Sequence, residues 1–203
     1  MDLGTRLAKP GTTLADLESW FDGMDHAGRM AAIKPSSRAH QRMLWHNAAG
    51  APPLTLDDMV PPSVADVTEV IHHGRNSLPL PSAFKFFQKR MARPSEGDDV
   101  LFGYNEGKTR PWIGPGYFVL RQTEGNAQWM PRGALVVDYF SVPNGGVPSH
   151  WPRVVPNSKG LQMFVYDGTR DFLRRVSSHV VIGAAYKGET AIGQYFVLVR
   201  EDR

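Results

Sequence analysis

The sequence predicts an α+β fold in which N-terminal helices pack on a mainly antiparallel, strongly curved sheet formed by the C-terminal half. Three observations indicate this fold. Apolar residues recur at helical spacing in the first third of the chain, and short aromatic and β-branched segments separated by glycine and proline dominate after residue 99. Some of these later segments are apolar on both faces, as in a sheet that is covered on both sides. Helices followed by strands are typical of the α+β class.

The N-terminal helices begin at residues whose side chains can accept hydrogen bonds from free backbone N–H groups. In the first helix, Leu14, Leu17 and Phe21 share one face at spacings of three and four. The third helix ends at Gly50, before a proline-rich loop. The predicted caps are Thr12 or Thr13 for the first helix, Asp25 for the second, and Ser36 or Ser37 for the third.

Two segments in the middle of the chain match helical spacing with a competing strand signal. Residues 63–74 place valine and isoleucine at helical intervals, but their β-branched side chains make a strand the alternative. Residues 82–92 place Phe84 and Phe87 on one helical face, with Lys89 outside. The prediction for both segments is a helix.

The C-terminal half has the composition of strands separated by turns. One further helix is predicted near residues 168–177, with Phe172 and Val176 turned inward and Arg170 outward. The predicted strands cover residues 100–105, 116–122, 134–141, 179–186 and 192–200.

The last strand indicates how the sheet is buried. Alternation places Phe196 and Leu198 on one face, and Val197 and Val199 on the other. A sheet with one side open to water should alternate between apolar and polar residues. We therefore expect a sheet whose centre is covered on both faces, or one that curls around an interior with helices outside.

A length of 203 residues favours one domain over residues 1–203. The helical region is expected roughly over residues 12–92 and the sheet-rich region roughly over residues 98–203.

The chain has no cysteine, which excludes disulfides, thiolate metal sites and cysteine nucleophiles. With no secretory signal and no apolar run near 20 residues, we expect a soluble, cytoplasmic protein that is not an integral membrane protein.

The charges do not indicate a nucleic-acid partner. The net charge is only +3, and no strong cluster of lysine and arginine accompanies it, so binding to nucleic acid is not expected. The seven histidines show no metal-ligand spacing: His72 and His73 are adjacent, and no HExxH pattern occurs. We expect no metal and no cofactor.

Asp138 is the first candidate catalytic residue. Strand alternation places it on the face of Val136 and Phe140, and a carboxylate among apolar neighbours can act as a general base or acid near neutral pH. The structural alternative, a carboxylate paired with an arginine, is the commoner arrangement.

His179 is the second candidate, because its expected face carries the small residues Gly183 and Ala185. A histidine at a helix end can equally have a purely structural role.

Three further residues are candidates for binding a ligand. Arg75, in the connector after Gly74, can hold a carboxylate or phosphate in a forked pair, or can tie the connector to backbone carbonyls. Tyr104 and Tyr139 lie in predicted strands near small residues that leave room for a pocket. The loop within residues 103–118 is either a mobile lid or a structural turn.

These residues lead to three functional hypotheses. The first is a module that binds a small organic ligand in an aromatic-lined pocket. The second is a metal-independent acid/base enzyme, such as a lyase, isomerase or hydrolase, with Asp138 or His179 as the base. The third is a protein-interaction or scaffolding protein anchored by an exposed Trp129, an exposed Trp151 or the loop within residues 103–118. The sequence predicts no oligomeric state and resembles no family that can be named.

Overall fold

We describe a computed structural model of the chain, which covers residues 1–96 and 99–202. In these residues the elements follow one another as α-helices and then strands, with one short α-helix between β3 and β4. The helices are α1 Leu3–Leu7, α2 Leu14–Asp22, α3 His26–Ile33, α4 Arg38–Asn47, α5 Leu56–Met59 and α6 Arg110–Ile113. The strands are β1 Val70–Asn76, β2 Phe86–Ala92, β3 Val100–Glu106, β4 Phe118–Gln122, β5 Leu135–Asp138, β6 Thr169–Arg175, β7 Val180–Lys187 and β8 Thr190–Arg200. Three 3₁₀ helices span Ala48–Gly50, Ser82–Phe84 and Gly160–Phe164.

The eight strands form a closed barrel in which each strand pairs with the next one in the chain, and β8 pairs back to β1. Every pair is antiparallel. Closure leaves no free sheet edge. The prediction of helices packed on a curved antiparallel sheet is therefore confirmed in outline, and the structure adds that the sheet closes on itself.

Side chains alternate between the inside and the outside of the barrel. Phe196 and Leu198 belong to the interior core, whereas Val197 and Val199 lie outside, beneath the N-terminal helices. The helices cover the outer faces of β7 and β8 through side chains such as Phe21. A second outer layer, formed by the connection between β5 and β6, packs on β3 and β4. Where these two layers lie, the sheet is shielded from water on both faces, which agrees with the expectation from β8.

The barrel is closed at one end by α5 and the residues beside it. Leu56, Met59 and Val60 pack into the interior core together with Val70 and Leu120. The opposite end carries the β1–β2 loop, the β3–β4 loop with α6, the long β5–β6 connection and the β7–β8 hairpin. The site lies at this second end, which is open.

The predicted N-terminal caps are confirmed. Thr13 and Ser37 form capping boxes at the starts of α2 and α4, and Asp25 accepts a hydrogen bond from a backbone N–H at the start of α3. Each helix begins where a short polar side chain replaces the missing intrahelical acceptor.

Three predicted helices are wrong. Residues 70–76 of the first segment form β1, residues 86–92 of the second form β2, and residues 169–175 of the third form β6. The sheet begins earlier than predicted, since β1 and β2 lie within residues 12–92, the region that was expected to be helical. The apolar residues of these segments are few and often adjacent, so their spacing does not separate helix from strand, and pairing with neighbouring strands decided the outcome.

Candidate functional site

The open end of the barrel contains a cavity of about 510 Å³. Volumes of this order are typical of sites for small molecules, and an eight-stranded barrel is wide enough to hold one small ligand. The floor is formed by inward-facing strand residues, and the walls by the loops of the open end. The floor residues include Lys89 of β2, Asn105 of β3, Tyr139 just after β5, and Asp171 of β6.

Lys89 is the central residue of the floor, and only 2% of its side chain is exposed. Its Nζ atom donates hydrogen bonds to Asn105 Oδ1 at 3.0 Å and to the Tyr139 hydroxyl at 2.5 Å. It also lies 3.3 Å from Asp171 Oδ2, which accepts a hydrogen bond from the Tyr139 hydroxyl. Three oxygen atoms therefore lie within 3.3 Å of the ammonium nitrogen, one of them from a carboxylate.

Aromatic rings surround the same ammonium group. The distances from Lys89 Nζ to the ring centroids are 4.8 Å for Phe118, 5.0 Å for Tyr139, 5.1 Å for Phe196 and 5.8 Å for Phe87. The negative faces of aromatic rings attract a cation at such distances. The rings also exclude water, which makes the charge costly to bury unless it is paired.

Three glycines make room for these rings. Gly74 lies across from Phe87, Gly103 across from Phe118, and Gly183 across from Phe196 in the strand pairs of the barrel. A Cβ atom at any of the three glycines would overlap the facing ring. The space that the sequence predicted beside Gly183 is thus filled by phenylalanine, and the cavity lies nearer the open end, beside Ala185.

Burial shifts the pKa values of this cluster. Desolvation lowers the pKa of Lys89, against the attraction of Asp171, and raises the pKa of Asp171, against the attraction of Lys89. Burial also raises the pKa of Tyr139 well above its ordinary value, so its hydroxyl stays protonated. Both pKa shifts favour transfer of a proton from the nitrogen of Lys89 to the carboxylate of Asp171. The net charge of the pair is zero before the transfer, as an ammonium and a carboxylate, and after it, as an amine and a carboxylic acid.

The rim of the cavity is mainly apolar. Phe164 is 78% exposed, and Tyr166 below it stacks on Tyr139 with 5.1 Å between ring centroids. Glu106, at the rim, is paired with Arg110 at 2.7 Å. The other large apolar side chains that line the mouth and remain exposed are Leu78, Leu80, Phe84, Val165 and Ile192. An exposed group of apolar side chains around a concave opening is typical of a ligand entrance.

The structure places the predicted catalytic residues away from the cavity. Asp138 is buried on the outer face of the barrel, where its Oδ1 atom lies 3.2 Å from Arg170 Nε and accepts a hydrogen bond from the backbone N–H of Phe140. Asp138 is thus a carboxylate paired with an arginine, which was the structural alternative to a catalytic role. His179 lies in the β6–β7 turn at the closed end, 3.3 Å from Asp202, and the strand β6 precedes it instead of the predicted helix.

Of the three predicted ligand-binding residues, only Tyr139 lines the cavity. Arg75 is buried outside the barrel and donates a hydrogen bond from Nε to the carbonyl oxygen of Ser36, so it ties the strand to the N-terminal helices. Tyr104 packs outside the barrel against Trp151, with 5.0 Å between ring centroids. Trp151 is itself buried and does not form an exposed anchor, whereas Trp129 is half-buried.

Sequence reasoning missed Lys89, Asn105 and Asp171. Lys89 and Asp171 lie in two of the segments that were predicted as helices, and the helical reading turned Lys89 outward. Strand alternation instead groups Lys89 with Phe87 and Met91, which face the interior. The sequence feature that points to the site is thus a single lysine between apolar residues on the inner face of β2. It can be recognised only when residues 86–92 are interpreted as a strand.

Comparison of the chain with models of known protein families, with curated proteins and with solved structures finds no match. In residues 1–96 and 99–202, no helix combines the length and apolar character needed to cross a membrane. The same residues contain no group of three or more histidine, aspartate or glutamate side chains placed to hold a metal ion. The class of protein is therefore defined by its fold and site: an up-and-down barrel with helices outside and an apolar-rimmed cavity over a buried lysine–aspartate pair.

Proposed function

We propose that this protein binds a small, mostly apolar molecule that carries an uncharged, oxygen-bearing polar end. The observation that supports the proposal is the open cavity of about 510 Å³ whose floor holds the paired Lys89 and Asp171. The apolar body of the ligand would contact the rim and the aromatic walls. Its polar end would lie against the floor, where hydrogen-bonding groups fix its orientation.

The charges of the floor favour a ligand without net charge. An anionic ligand would gain from Lys89, but it would also meet the carboxylate of Asp171. A cationic ligand would meet the ammonium of Lys89. A buried charge that is already paired offers little net attraction to a third charge, while desolvating that third charge costs free energy. An alcohol or a carbonyl group avoids this cost and can still exchange hydrogen bonds with Tyr139 and Asn105.

Displacement of a fluorescent probe tests the proposal. The uncharged probe N-phenylnaphthylamine is bound to the protein and displaced by decanol, decanoate or decylammonium. We expect decanol to bind at least about tenfold more tightly than either charged compound, a difference of about 1.4 kcal/mol. Failure of the probe and of all three compounds to bind would contradict the proposal.

Two variants show whether binding occurs in the cavity. Ala185→Phe places a ring in the cavity and should abolish probe binding, whereas Ala191→Phe, at an exposed position of β8, should not.

Asp171→Asn leaves the ammonium of Lys89 without its carboxylate and should shift the preference from decanol toward decanoate. Glu124→Gln, an exposed carboxylate in the β4–β5 loop at the opposite end, is the matched control for that charge change.

A further inference from the structure

Lys89 differs from every other lysine of the chain. The other six, Lys9, Lys34, Lys85, Lys108, Lys159 and Lys187, are exposed or half-buried, whereas Lys89 is buried in the floor of the cavity. A lysine in an apolar site becomes a nucleophile when it can give up its proton, and such lysines form imines with carbonyl compounds. The surroundings of Lys89 decide whether it can do so.

The neighbours of Lys89 supply the groups that imine formation requires. Asp171 Oδ2 lies 3.3 Å from Nζ, so it can receive the ammonium proton without a shuttle. The Tyr139 hydroxyl lies 2.5 Å from Nζ and 3.3 Å from Asp171 Oδ2, and it can donate a hydrogen bond to an oxygen that replaces one of these partners. All three groups line one cavity, so a carbonyl end that enters it meets a base, a nucleophile and a proton donor together.

We infer that the cavity takes an apolar aldehyde or ketone, which forms a reversible imine with the amine of Lys89. This inference rests on the proposed function and specifies the chemical class of its ligand. The apolar rim selects the hydrocarbon body, and the buried pair accepts a carbonyl because this group brings no charge into the floor.

The reaction balances without an oxidant or a reductant. Lys89 first passes a proton to Asp171, and the free electron pair of Nζ then forms a bond to the carbonyl carbon. The carbonyl oxygen takes up a proton that Asp171 supplies directly or through the Tyr139 hydroxyl, and the nitrogen returns one proton to the carboxylate. The hydroxyl of this intermediate leaves as water after a second protonation by Asp171, and the C=N bond forms as the C–O bond breaks.

The experiment combines trapping with displacement on the full chain. Protein is incubated with a slight molar excess of decanal and with cyanoborohydride, which delivers hydride to the imine carbon and leaves a stable secondary amine. Decanol serves as the matched compound without a carbonyl carbon. We expect intact-mass spectrometry to show one decyl group per chain with decanal and none with decanol, and peptide mapping to place it on Lys89.

The outcomes separate this inference from the proposed function. A modification spread over the exposed lysines, or no modification although decanal displaces the fluorescent probe, would overturn the inference and leave the binding proposal standing. If neither decanal nor decanol displaces the probe, the proposed function fails as well.

Variants localise the reaction independently of the peptide map. Lys89→Met should lose the adduct, whereas Lys34→Met, at an exposed position after α3, should retain it. If Lys89→Met does not fold, the peptide map of the unsubstituted protein alone decides between the outcomes.

Discussion

Phe196 lies directly across the β7–β8 pair from Gly183, and its ring occupies the space where a side chain at position 183 would begin. The same ring is one of the four that surround the Lys89 ammonium. Packing inside the barrel and placement of the Lys89 ammonium are therefore coupled. Position 183 must be glycine so that the Phe196 ring can lie over its backbone and face Lys89.

We predict that Gly183→Ala destabilises the protein by about 1–3 kcal/mol, because the added methyl group forces the Phe196 ring out of its position in a packed core. Urea unfolding measures the change in the free energy of unfolding. Gly50→Ala is the control, since a Cβ there meets no atom within 4 Å. Equal effects of the two substitutions would contradict the proposed role of the close approach.

The outline of the fold could be predicted from the sequence, and its site largely could not. The caps at Thr13 and Ser37 are local signals, and the two apolar faces of β8 indicated a sheet covered on both sides. Closure of the barrel depends on pairing between β1 and β8, which are more than 100 residues apart and leave no local signal. Lys89 and Asp171 were hidden because β2 and β6 contain too few apolar residues to distinguish the helical period from the strand period.

The buried pair should be strongly coupled in stability. We predict that Lys89→Met lowers the free energy of unfolding by about 3–5 kcal/mol, because it leaves the Asp171 carboxylate buried without its cation. Lys89→Met combined with Asp171→Leu should lower this free energy by much less than the sum of the two single substitutions. A double-mutant cycle by urea unfolding measures the coupling.

The partly exposed pair Arg93–Asp57, with 2.7 Å between Arg93 Nη2 and Asp57 Oδ1, is the control for this cycle. Its coupling should stay below about 1 kcal/mol, as is usual for surface ion pairs. Coupling of the Lys89–Asp171 pair no larger than that of the control would show that the buried pair does not hold the floor together.

Asp138 and Asp171 should respond differently to the same chemical change. Asp138→Asn removes the ion pair with Arg170 on the outer face and is expected to lower the free energy of unfolding by about 1–3 kcal/mol. Probe binding in the cavity should be unchanged, because Asp138 does not line it. Loss of probe binding in a folded Asp138→Asn protein would return this residue to the functional site.

His72 should make the protein sensitive to acid. Its ring is buried at the closed end of the barrel, where Nε2 lies 2.9 Å from the carbonyl oxygen of Met59 and donates to it, which leaves Nδ1 without a proton. Within the described part of the chain, Nδ1 has no hydrogen-bond partner, so protonation would place an unpaired N–H group and a charge in the core. Burial accordingly lowers the pKa of His72 from 6.5 to about 3, against the effect of the Met59 carbonyl.

Between these two pH values the unfolded chain binds one proton more at residue 72 than the folded chain does. The free energy of unfolding should therefore fall as the pH decreases from 6.5 toward 3, by up to roughly 4–5 kcal/mol from this residue. His72→Gln keeps a donor for the Met59 carbonyl but does not titrate, so its urea-unfolding free energy should depend less steeply on pH in this window. His150→Gln, whose side chain is 60% exposed, should follow the unsubstituted protein. Identical pH profiles for His72→Gln and the unsubstituted protein would show that another group controls acid unfolding.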